Sequence, residues 1–542
     1  MIFQIDALFL LGYHIGRKKG RIAMEKLCGY RKFFAFMIFT MIVSGMLSLI
    51  PPVLLQIWSR EEAALSLDKI IWVSVLLLMT NLLNAFLIFY RENFANRFNK
   101  ENARSYLRCF LNMQYDKIIE EGSSNLLERI ITAVTNIYLY MTGGYIQIWS
   151  SIIIAAASIV LMSQTSIFIS FVMLLYIPLI FFGFKLINGE LAKRSMELQT
   201  QTGAGFQELM SYIQEPDYFK QLDNTDVVIE KMNPAFDKIY NAMSKINKFA
   251  QTSSVTLSSI GTILQNIIML YVIYYFMETR ISSYMLMIST IIIPLYFEAV
   301  SSITRANINK KDYEAACDLN KMLVKYREKD GCEKIVEVKS LSIDVHKIEI
   351  AGREIHMEIK AVLKKGDIGR IYGESGSGKS SLAKSILKFR NVDNIKINGI
   401  SLENISNCKL RSLTEYVSQN IPVIRGSLRD NLTFGKELCD IDDSFFINHP
   451  LLQSVLSHKS LDDEILEGGA NLSGGEKQKI AIVRALLSEP QILILDEVCS
   501  NIDWQTSQEI YSMLKKDADK RITIIIAHGE LPEGLINVDI NG

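Results

Sequence analysis

A glycine-rich segment has the residue types and spacing of a phosphate-binding loop. Within IGRIYGESGSGKSSLAKSIL (368–387), Gly373, Gly378, Lys379 and Ser380 satisfy the pattern G-x-x-x-x-G-K-S. Glycines let backbone N–H groups turn toward phosphate oxygens, the ammonium neutralises phosphate charge, and the hydroxyl can ligate Mg²⁺. The helix that starts after the loop adds its positive dipole end. The predicted nucleotide contacts here are Gly373, Glu374, Ser375, Gly376, Ser377, Gly378, Lys379, Ser380 and Ser381.

Two later apolar strands end in residues suited to phosphate chemistry. Four apolar residues precede Asp496 and Glu497, and the run ITIIIAHGE carries His528. A carboxylate at the end of a buried strand can hold Mg²⁺ through its water shell, and the next carboxylate can polarise an attacking water. We therefore predict that Asp496 holds the metal together with Ser380. Glu497 is expected to be catalytic, and His528 is expected to sense the γ-phosphate.

These residues follow a region typical of membrane proteins. The chain has 542 residues, 49% hydrophobic and 21% charged, and its mean hydropathy is +0.18. Six apolar segments, each near the roughly 20 residues that cross a bilayer, all lie before residue 302. Core helices of a large soluble protein are the alternative, which the clustering of all six in one half disfavours. The predicted spans are 33–57, 69–90, 144–163, 166–187, 254–277 and 281–301.

The distribution of charge predicts an orientation. Basic residues cluster before the first span and between the second and third, whereas the connections after spans one, three and five carry little excess positive charge. The positive-inside rule places both chain ends and the long connections in the cytoplasm. A formal net charge of zero argues against an extended nucleic-acid surface, so no nucleic-acid partner is expected. The cysteines share no close pair spacing and fit a reducing compartment.

Two connections between spans, 91–143 and 188–253, are too long to be turns and have apolar residues at helical spacing. We predict that spans two to five continue as helices beyond the bilayer. The chain should reverse near 116–125 and 212–222, where glycine, serine and proline interrupt the pattern.

Five motifs in order resemble the nucleotide-binding domain of ABC transporters: GESGSGKSS, LSGGE, LILDE, SNID and the late His528. With the six upstream spans, the chain resembles an exporter-type half-transporter. The resemblance implies a membrane all-α six-helix transmembrane domain followed by an α/β P-loop ABC ATPase domain, with ATP and Mg²⁺ as cofactors. The implied domains are a cytoplasmic or elbow segment (1–32), a transmembrane domain (33–330) and an ATPase domain (331–542).

The resemblance assigns further roles. Gln419 matches the Q-loop, which contacts Mg²⁺ and the attacking water, and Asp503 matches the D-loop, which crosses to the opposite nucleotide site. The turns near 116–125 and 212–222 match coupling helices. The signature residues bind the γ-phosphate of an ATP held by the other subunit, so one chain has two half-sites. A second copy of the chain is favoured as partner because both halves keep their expected residues, and a homologous half-transporter is the alternative. The signature residues are Ser473, Gly474, Gly475 and Glu476.

The chain departs from the family pattern at two places. Where an aromatic residue stacks on adenine in the family, this sequence has Val345 and His346, and we expect His346 to contact the nucleotide through its ring. Cys499 replaces a small or hydroxyl residue beside Glu497, and we interpret it as a packing residue.

The expected function is ATP-driven export from the cytoplasm across the plasma membrane of a bacterium, with a peptide favoured as substrate. A lipid flippase or multidrug exporter of the same architecture is the alternative, and an ATP-gated channel would keep the same motifs. The spans disfavour a soluble ABC ATPase, and their fusion ahead of the ATPase domain disfavours an importer. A carboxylate in a span is costly in lipid, so Glu298 is a candidate substrate residue. The polar residues that could line a cavity are Asn81, Asn84, Gln147, Gln265 and Glu298.

Overall fold

The computed structural model describes most of the chain. Some predictions fall outside the described part: nearly all of the segment 1–32, most of the second cytoplasmic turn, and the residues Ser375, Cys499 and His528. The described residues are 31–60, 67–164, 166–213, 220–222, 224–279, 283–350, 353–374, 376–392, 394–434, 443–498, 502–527 and 536–539.

The chain forms two compact units. The first comprises Met1–Leu111 and Ser123–Lys325, and the second comprises Asn112–Gly122 and Tyr326–Gly542. The stretch Asn112–Gly122 therefore belongs to the second unit, although its neighbours in the chain on both sides belong to the first.

The first unit is helical. Six helical stretches among the described residues are long and apolar enough to cross a membrane, which confirms the predicted number of spans. A π-helical turn, Tyr140–Gly144, joins α4 to α5. The helices, numbered in chain order and including α3 of the other unit, are α1 (Arg31–Arg60), α2 (Leu67–Leu111), α3 (Tyr115–Glu121), α4 (Ser123–Leu139), α5 (Tyr145–Ser163), α6 (Ile167–Ile213), α7 (Asp226–Thr279) and α8 (Ser283–Lys325).

Four of these helices are much longer than a bilayer crossing requires. Helices α2, α6, α7 and α8 contain 45, 47, 54 and 43 residues. At about 1.5 Å per residue, they measure about 68, 70, 81 and 65 Å. The hydrocarbon core of a bilayer is about 30 Å thick. The apolar spans therefore occupy only part of each helix, and the polar remainder extends beyond, as the helical spacing of the two long connections predicts.

The first unit has an apolar interior and, unlike a soluble protein, an apolar outer surface as well. Its interior contains Tyr296, which is fully buried and donates its hydroxyl to the backbone oxygen of Met173 at 2.5 Å. Its outer surface carries large apolar side chains: Trp72, Leu78 and Phe89 of α2 are 65%, 60% and 67% exposed. A continuous apolar surface of this kind is stable only against an apolar surrounding.

The second unit contains a parallel sheet and an antiparallel sheet. The five-stranded sheet has the order β11-β3-β10-β9-β6, with all pairs parallel, and the four-stranded sheet has the order β2-β1-β4-β5, with all pairs antiparallel. A short pair, β7 with β8, completes the strands. The strands are β1 (Ser340–Ile350), β2 (Arg353–Lys364), β3 (Ile368–Tyr372), β4 (Ile395–Ile397), β5 (Ile400–Ser401), β6 (Thr414–Val417), β7 (Gly426–Ser427), β8 (Glu464–Ile465), β9 (Ile492–Asp496), β10 (Ile522–Ile526) and β11 (Ile536–Asp539).

Both faces of the parallel sheet are covered. Alternate residues of β9 enter different cores, because successive strand residues point to opposite faces. Ile492 and Ile494 belong to one core cluster, and Leu493 and Leu495 to another. Burial on both faces explains why β9 and β10 are runs of apolar residues rather than alternating patterns. The helices of this unit beyond α3 are α9 (Lys379–Ile386), α10 (Asn407–Leu413), α11 (Leu428–Thr433), α12 (Asp443–Ile447), α13 (Gln453–Leu456), α14 (Gly474–Leu486) and α15 (Trp504–Lys516).

Candidate nucleotide-binding site

The predicted catalytic residues follow the carboxyl ends of neighbouring parallel strands. Ile526, the last residue of β10, lies in register with Ile371 of β3 on one side and with Asp496 of β9 on the other. The phosphate loop follows β3, and Gln419 follows β6, where Val417 is in register with Leu495. Ligands of open α/β sheets bind outside the carboxyl ends of their strands. The sheet topology therefore gathers residues that are far apart in sequence at one edge.

The phosphate loop is closed by its own lysine. The buried ammonium of Lys379 donates to the backbone oxygens of Gly373 at 2.9 Å and Glu374 at 2.7 Å. Helix α9 begins at Lys379, after Gly378, whose φ is +92°. A Cβ at Gly378 would lie 2.4 Å from Cε of Met357, the movable end of that side chain, so it is the left-handed backbone conformation that favours glycine here. The loop ends at a helix N-terminus, which suits an anion.

Asp496 lies at the buried end of β9. Its side chain is 2% exposed, and its Oδ2 accepts a hydrogen bond of 2.8 Å from the Tyr416 hydroxyl of β6. Its Oδ1 is buried and has no hydrogen-bond partner among the described residues. Burial, and then the charge of Asp496, raise the pKa of the Tyr416 phenol, so the phenol stays protonated and remains a donor. One carboxylate oxygen is thus held, and the other is left for a further ligand.

Glu497 occupies a constrained backbone position. Its φ is +52°, and its N–H donates to the backbone oxygen of Ile526 at 2.9 Å. A non-glycine residue with positive φ costs free energy and is typical of functional sites. The Gln419 side chain donates from Nε2 to Oε2 of Glu497 at 2.7 Å. The structure therefore brings together two of the three predicted catalytic residues, and the third, His528, follows β10 outside the described residues.

The oxygen atoms at this edge suit Mg²⁺. The described residues contain no cluster of three or more histidine, cysteine or acidic side chains that could hold a metal by themselves. Mg²⁺ keeps several waters and binds through one or two protein oxygens plus substrate phosphates, so such a cluster is not required. The buried, unpartnered Oδ1 of Asp496 is the kind of atom that such a hydrated ion needs. Helix α9, which carries Ser380, packs against β9, which carries Asp496.

The signature residues form the start of helix α14. The backbone N–H of Ser473 donates to Oε2 of Glu476 at 2.6 Å, and the N–H of Glu476 donates to Oγ of Ser473 at 3.3 Å. This reciprocal capping box leaves the N–H groups of Gly474 and Gly475 at an open helix N-terminus. His458 contacts the other carboxylate oxygen of Glu476 at 2.6 Å.

The helices that follow the phosphate loop and the signature pack on opposite faces of the parallel sheet. Leu382 of helix α9 packs in the core cluster that contains Ile494, whereas Ile480 of helix α14 packs in the cluster that contains Leu493. Because adjacent residues of β9 face opposite ways, the two helices lie on different sides. Within one chain they are separated by the sheet.

The remaining predicted residues have the following places. Asp503 is the N-cap of α15 and accepts the Thr506 N–H at 2.9 Å, a bond that holds the pKa of Asp503 below its ordinary value. His346 is exposed on β1, with its Nε2 3.7 Å from Asp344 Oδ1, at an irregularity in the pairing with β2. Its predicted contact with adenine, like the other assigned roles, stays a prediction.

Two residues that the sequence analysis overlooked lie at the site. Tyr416 contacts Asp496, and Arg390 donates through its guanidinium to the Ser381 hydroxyl. Tyr416 comes three residues before Gln419, and Arg390 comes shortly after helix α9. Both are therefore close in sequence to predicted site residues, which could have marked them as candidates. Their contacts depend on strand order and on the packing of α9, which the sequence does not display.

Comparison with known families agrees with this geometry. Residues 357–500 match the family model described as ABC transporter, a range that includes the phosphate loop, the signature, Asp496 and Glu497. This chain carries an ABC transporter domain. Joined to six membrane-type helices, the ABC domain gives the chain the architecture of a half-transporter.

Curated relatives of this chain include proteins named for different substrates. A Haemophilus influenzae "Probable ABC transporter ATP-binding/permease protein" is 28% identical over 59% of this chain and 58% of its own length. A lactococcin-G-processing and transport ATP-binding protein of Lactococcus lactis is 38% identical over 32% of this chain and 25% of its own. An ATP-dependent lipid A-core flippase of Colwellia psychrerythraea is 36% identical over 31% of this chain and 30% of its own. This chain therefore matches less than two thirds of the length of each of these relatives.

The likeness in fold extends beyond the ABC domain. A bacterial Atm1-family ABC exporter, solved with ATP bound, superposes with a TM-score of 0.79 over 93% of this chain and 91% of its own, at 16% identity. At that identity the likeness establishes the fold alone. It confirms the predicted fold class, a six-helix exporter-type domain followed by an ABC ATPase domain.

Proposed function

We propose that this chain hydrolyses ATP to export a substrate from the cytoplasm across the plasma membrane of a bacterium, working as a dimer. The observation that carries the proposal is the group at the carboxyl edge of the parallel sheet. There the lysine-closed phosphate loop, the buried Asp496 and the Gln419–Glu497 pair meet. The six apolar helices of the same chain supply the membrane component.

Each residue has a defined task in this proposal. The Lys379 ammonium and the loop N–H groups bind phosphate charge, and Glu497 accepts the proton of a water that Gln419 helps to orient. Mg²⁺, held through Ser380, Asp496 and Gln419, would supply charge neutralisation at the phosphates. Burial of Asp496 keeps its carboxylate fixed and away from bulk water.

The separation of the two half-sites supports the proposed dimer. In one chain, the phosphate loop and the signature are associated with opposite faces of the sheet. A second chain in the opposite orientation would place its Ser473 cap and the free N–H groups of α14 against the bound γ-phosphate. ATP would then stabilise the closed dimer over the open one, which is the differential affinity that a conformational change needs.

A cavity among the membrane helices supports a polar, charged substrate. It has a volume of about 420 Å³ and lies between α1, α2, α5 and α8, within the size range of ligand pockets. Asn84, Gln147 and Glu298, three of the five predicted span residues, line it together with Arg91 and Ser44. Groups of both charges beside amides and hydroxyls suit a peptide better than a purely apolar drug. We therefore keep a peptide as the proposed substrate, and the alternative is a lipid with a polar headgroup.

The decisive experiment measures transport and hydrolysis in proteoliposomes of the full chain. We expect MgATP to drive uptake of a fluorescent cationic peptide against its gradient, whereas a channel would only dissipate the gradient. Glu497→Gln should lower phosphate release by about 10²- to 10⁴-fold, the usual contribution of a general base. Glu509→Gln, an exposed carboxylate on α15, is the matched control and should retain the parental rate. Parental hydrolysis by Glu497→Gln would overturn its role.

The substrate class is tested separately. Stimulation of ATP hydrolysis is compared across peptides, lipid A-type lipids and amphipathic drugs. Glu298→Gln should weaken stimulation by cationic peptides while leaving hydrolysis without substrate unchanged. Stimulation by lipids alone would support the flippase alternative.

A further inference from the structure

The short helix α3 is built into the nucleotide unit by backbone pairing. Gln114 donates its N–H to the backbone oxygen of Tyr326 at 2.8 Å, and Glu328 donates to that of Asn112 at 2.8 Å. In sequence, α3 directly follows the 45-residue helix α2 and directly precedes α4, both helices of the membrane unit. Any displacement of α3 is therefore carried along the chain into two membrane helices.

One face of α3 contacts the segment that follows the phosphate-loop helix. The ring of Tyr115 stacks on that of Phe389, with centroids 5.4 Å apart and planes 17° apart. The ammonium of Lys384, on α9, lies 5.5 Å from the centre of the Tyr115 ring. The ring of Tyr115 thus contacts a cation on α9 and an aromatic ring three residues after the end of α9.

Arg390 connects the same helix to the phosphate loop itself. Its Nε lies 3.3 Å from Oδ1 of Asp116, and its Nη1 donates to the hydroxyl of Ser381, the second serine of the motif GKSS. The side chain of Arg390 is 9% exposed, whereas that of Asp116 is 35% exposed, so the guanidinium is the buried partner of the pair. A guanidinium can make two directed contacts at once because its donors form a rigid planar fork.

We propose that Arg390 is a positioning residue that couples the phosphate loop to the membrane helices through Asp116 of α3. The inference rests on the proposed function, since it assumes that ATP binding is linked to movement of those helices. When phosphate binding orders the start of α9, Ser381 moves the guanidinium, and the ion pair with Asp116 moves α3 with it. Removing Asp116 leaves the buried guanidinium of Arg390 without its ion pair, which is more costly than losing a pair between two exposed side chains.

Hydrogen exchange of the full-length protein tests this link. The probe is MgATP, added to chains that carry Glu497→Gln so that the nucleotide stays bound. Exchange is followed in two regions: the phosphate loop (373–381), and the flanks of α3 (100–111 and 123–135). In this parent, MgATP should protect the first region and change exchange in the second. Absence of any change in the second region of the parent would refute the proposed function, not only this inference.

Two variants distinguish a coupling role of the Arg390–Asp116 pair from a role in stability alone. In Arg390→Gln and in Asp116→Asn, the phosphate loop should still be protected by MgATP, whereas the response of the α3 flanks should fall at least fivefold. Glu120→Gln is the matched control, because Glu120 is a carboxylate of the same helix that pairs with Lys117 on α3 itself. It should respond as the parent does. Equal responses of Arg390→Gln and the parent would overturn the inference.

Nucleotide kinetics provide a second readout in the active chain. Loss of the contact with Ser381 in Arg390→Gln should raise the KM for ATP about fivefold, the factor that corresponds to one hydrogen bond. Asp116→Asn should leave the KM near the parental value, because it keeps Arg390 beside Ser381. In the double variant, the effects on the α3 flanks should not add, since both changes break one connection. Additive effects would indicate two independent structural roles and would overturn the inference.

Discussion

Replacing Tyr416 by phenylalanine tests the electrostatic organisation of the nucleotide site. The change removes one oxygen atom, whose hydrogen bond to Oδ2 of Asp496 measures 2.8 Å, and keeps the ring. Because Asp496 is 2% exposed, water cannot readily replace the lost donor. A hydrogen bond to a charged partner contributes about 1.5–3 kcal/mol. We expect the free energy of unfolding of the nucleotide unit to fall by about this amount without nucleotide.

The size of the effect should depend on MgATP. When a hydrated Mg²⁺ balances the charge of Asp496, the carboxylate depends less on the phenol. For a domain of this size, about 1 kcal/mol shifts the unfolding temperature by about 2–4 °C, so we expect a decrease of about 3–12 °C without nucleotide. With MgATP the decrease should be less than half as large. Intrinsic fluorescence during thermal unfolding of the purified full chain measures both values.

A control and a refuting outcome define this test. Tyr511→Phe removes the hydroxyl of another buried tyrosine in the same unit, on α15, and its effect should be the same with and without MgATP. If Tyr416→Phe lowers the unfolding temperature equally in both conditions, a metal at Oδ1 does not balance the charge of Asp496, and our reasoning about Oδ1 and Oδ2 fails.

Two further predictions concern the loops of the nucleotide unit. Gly331→Ala should prevent normal folding, because its Cβ would lie 2.2 Å from the backbone carbon of Asn404; expression of a protease-resistant unit checks this, and a normal yield would contradict it. Burial tends to raise the pKa of Glu476, but its hydrogen bonds to Ser473 and His458 outweigh burial and lower that pKa. The stability that ionised Glu476 contributes to the fold should therefore be complete at a pH above 4.5, the ordinary pKa of a glutamate. It should disappear as the pH falls below that value. The difference in unfolding temperature between the parent and Glu476→Gln should shrink over that range, whereas a constant difference would show that ionisation of Glu476 is not involved.

Local patterns made much of this site predictable. The phosphate loop and the acidic end of β9 each lie within one short stretch of sequence. Each can be recognised from the pattern of that stretch alone, without knowledge of its contacts elsewhere in the chain. Apolar runs near 20 residues likewise predict the six membrane-type helices without any knowledge of their packing. Gln419 was identified through the family resemblance; the structure places its side chain on Glu497, and its assigned role stays a prediction.

Features that depend on packing were not predictable in the same way. Tyr416 reaches Asp496, 80 residues later, because β6 and β9 are adjacent strands, and strand order is not visible in the sequence. The first cytoplasmic turn was predicted near 116–125 from its glycine and serines, but the short helix Tyr115–Glu121 ends there, at Gly122 with φ +79°. That glycine marks the end of a helix rather than the middle of a turn. The contact between Arg390 and Asp116 was not predictable, because the two residues are far apart in sequence.

The membership of Asn112–Gly122 in the nucleotide unit also bears on biosynthesis. A ribosome completes α3 long before it makes Phe389 and Arg390, so the nucleotide unit cannot finish folding as its own C-terminal stretch emerges. It must incorporate a helix that was synthesised earlier and that is tethered at both ends to membrane segments. Contacts between residues so distant in sequence form slowly. A fragment that starts near residue 326 would lack this helix and would expose the ring of Phe389, which Tyr115 covers in the whole chain.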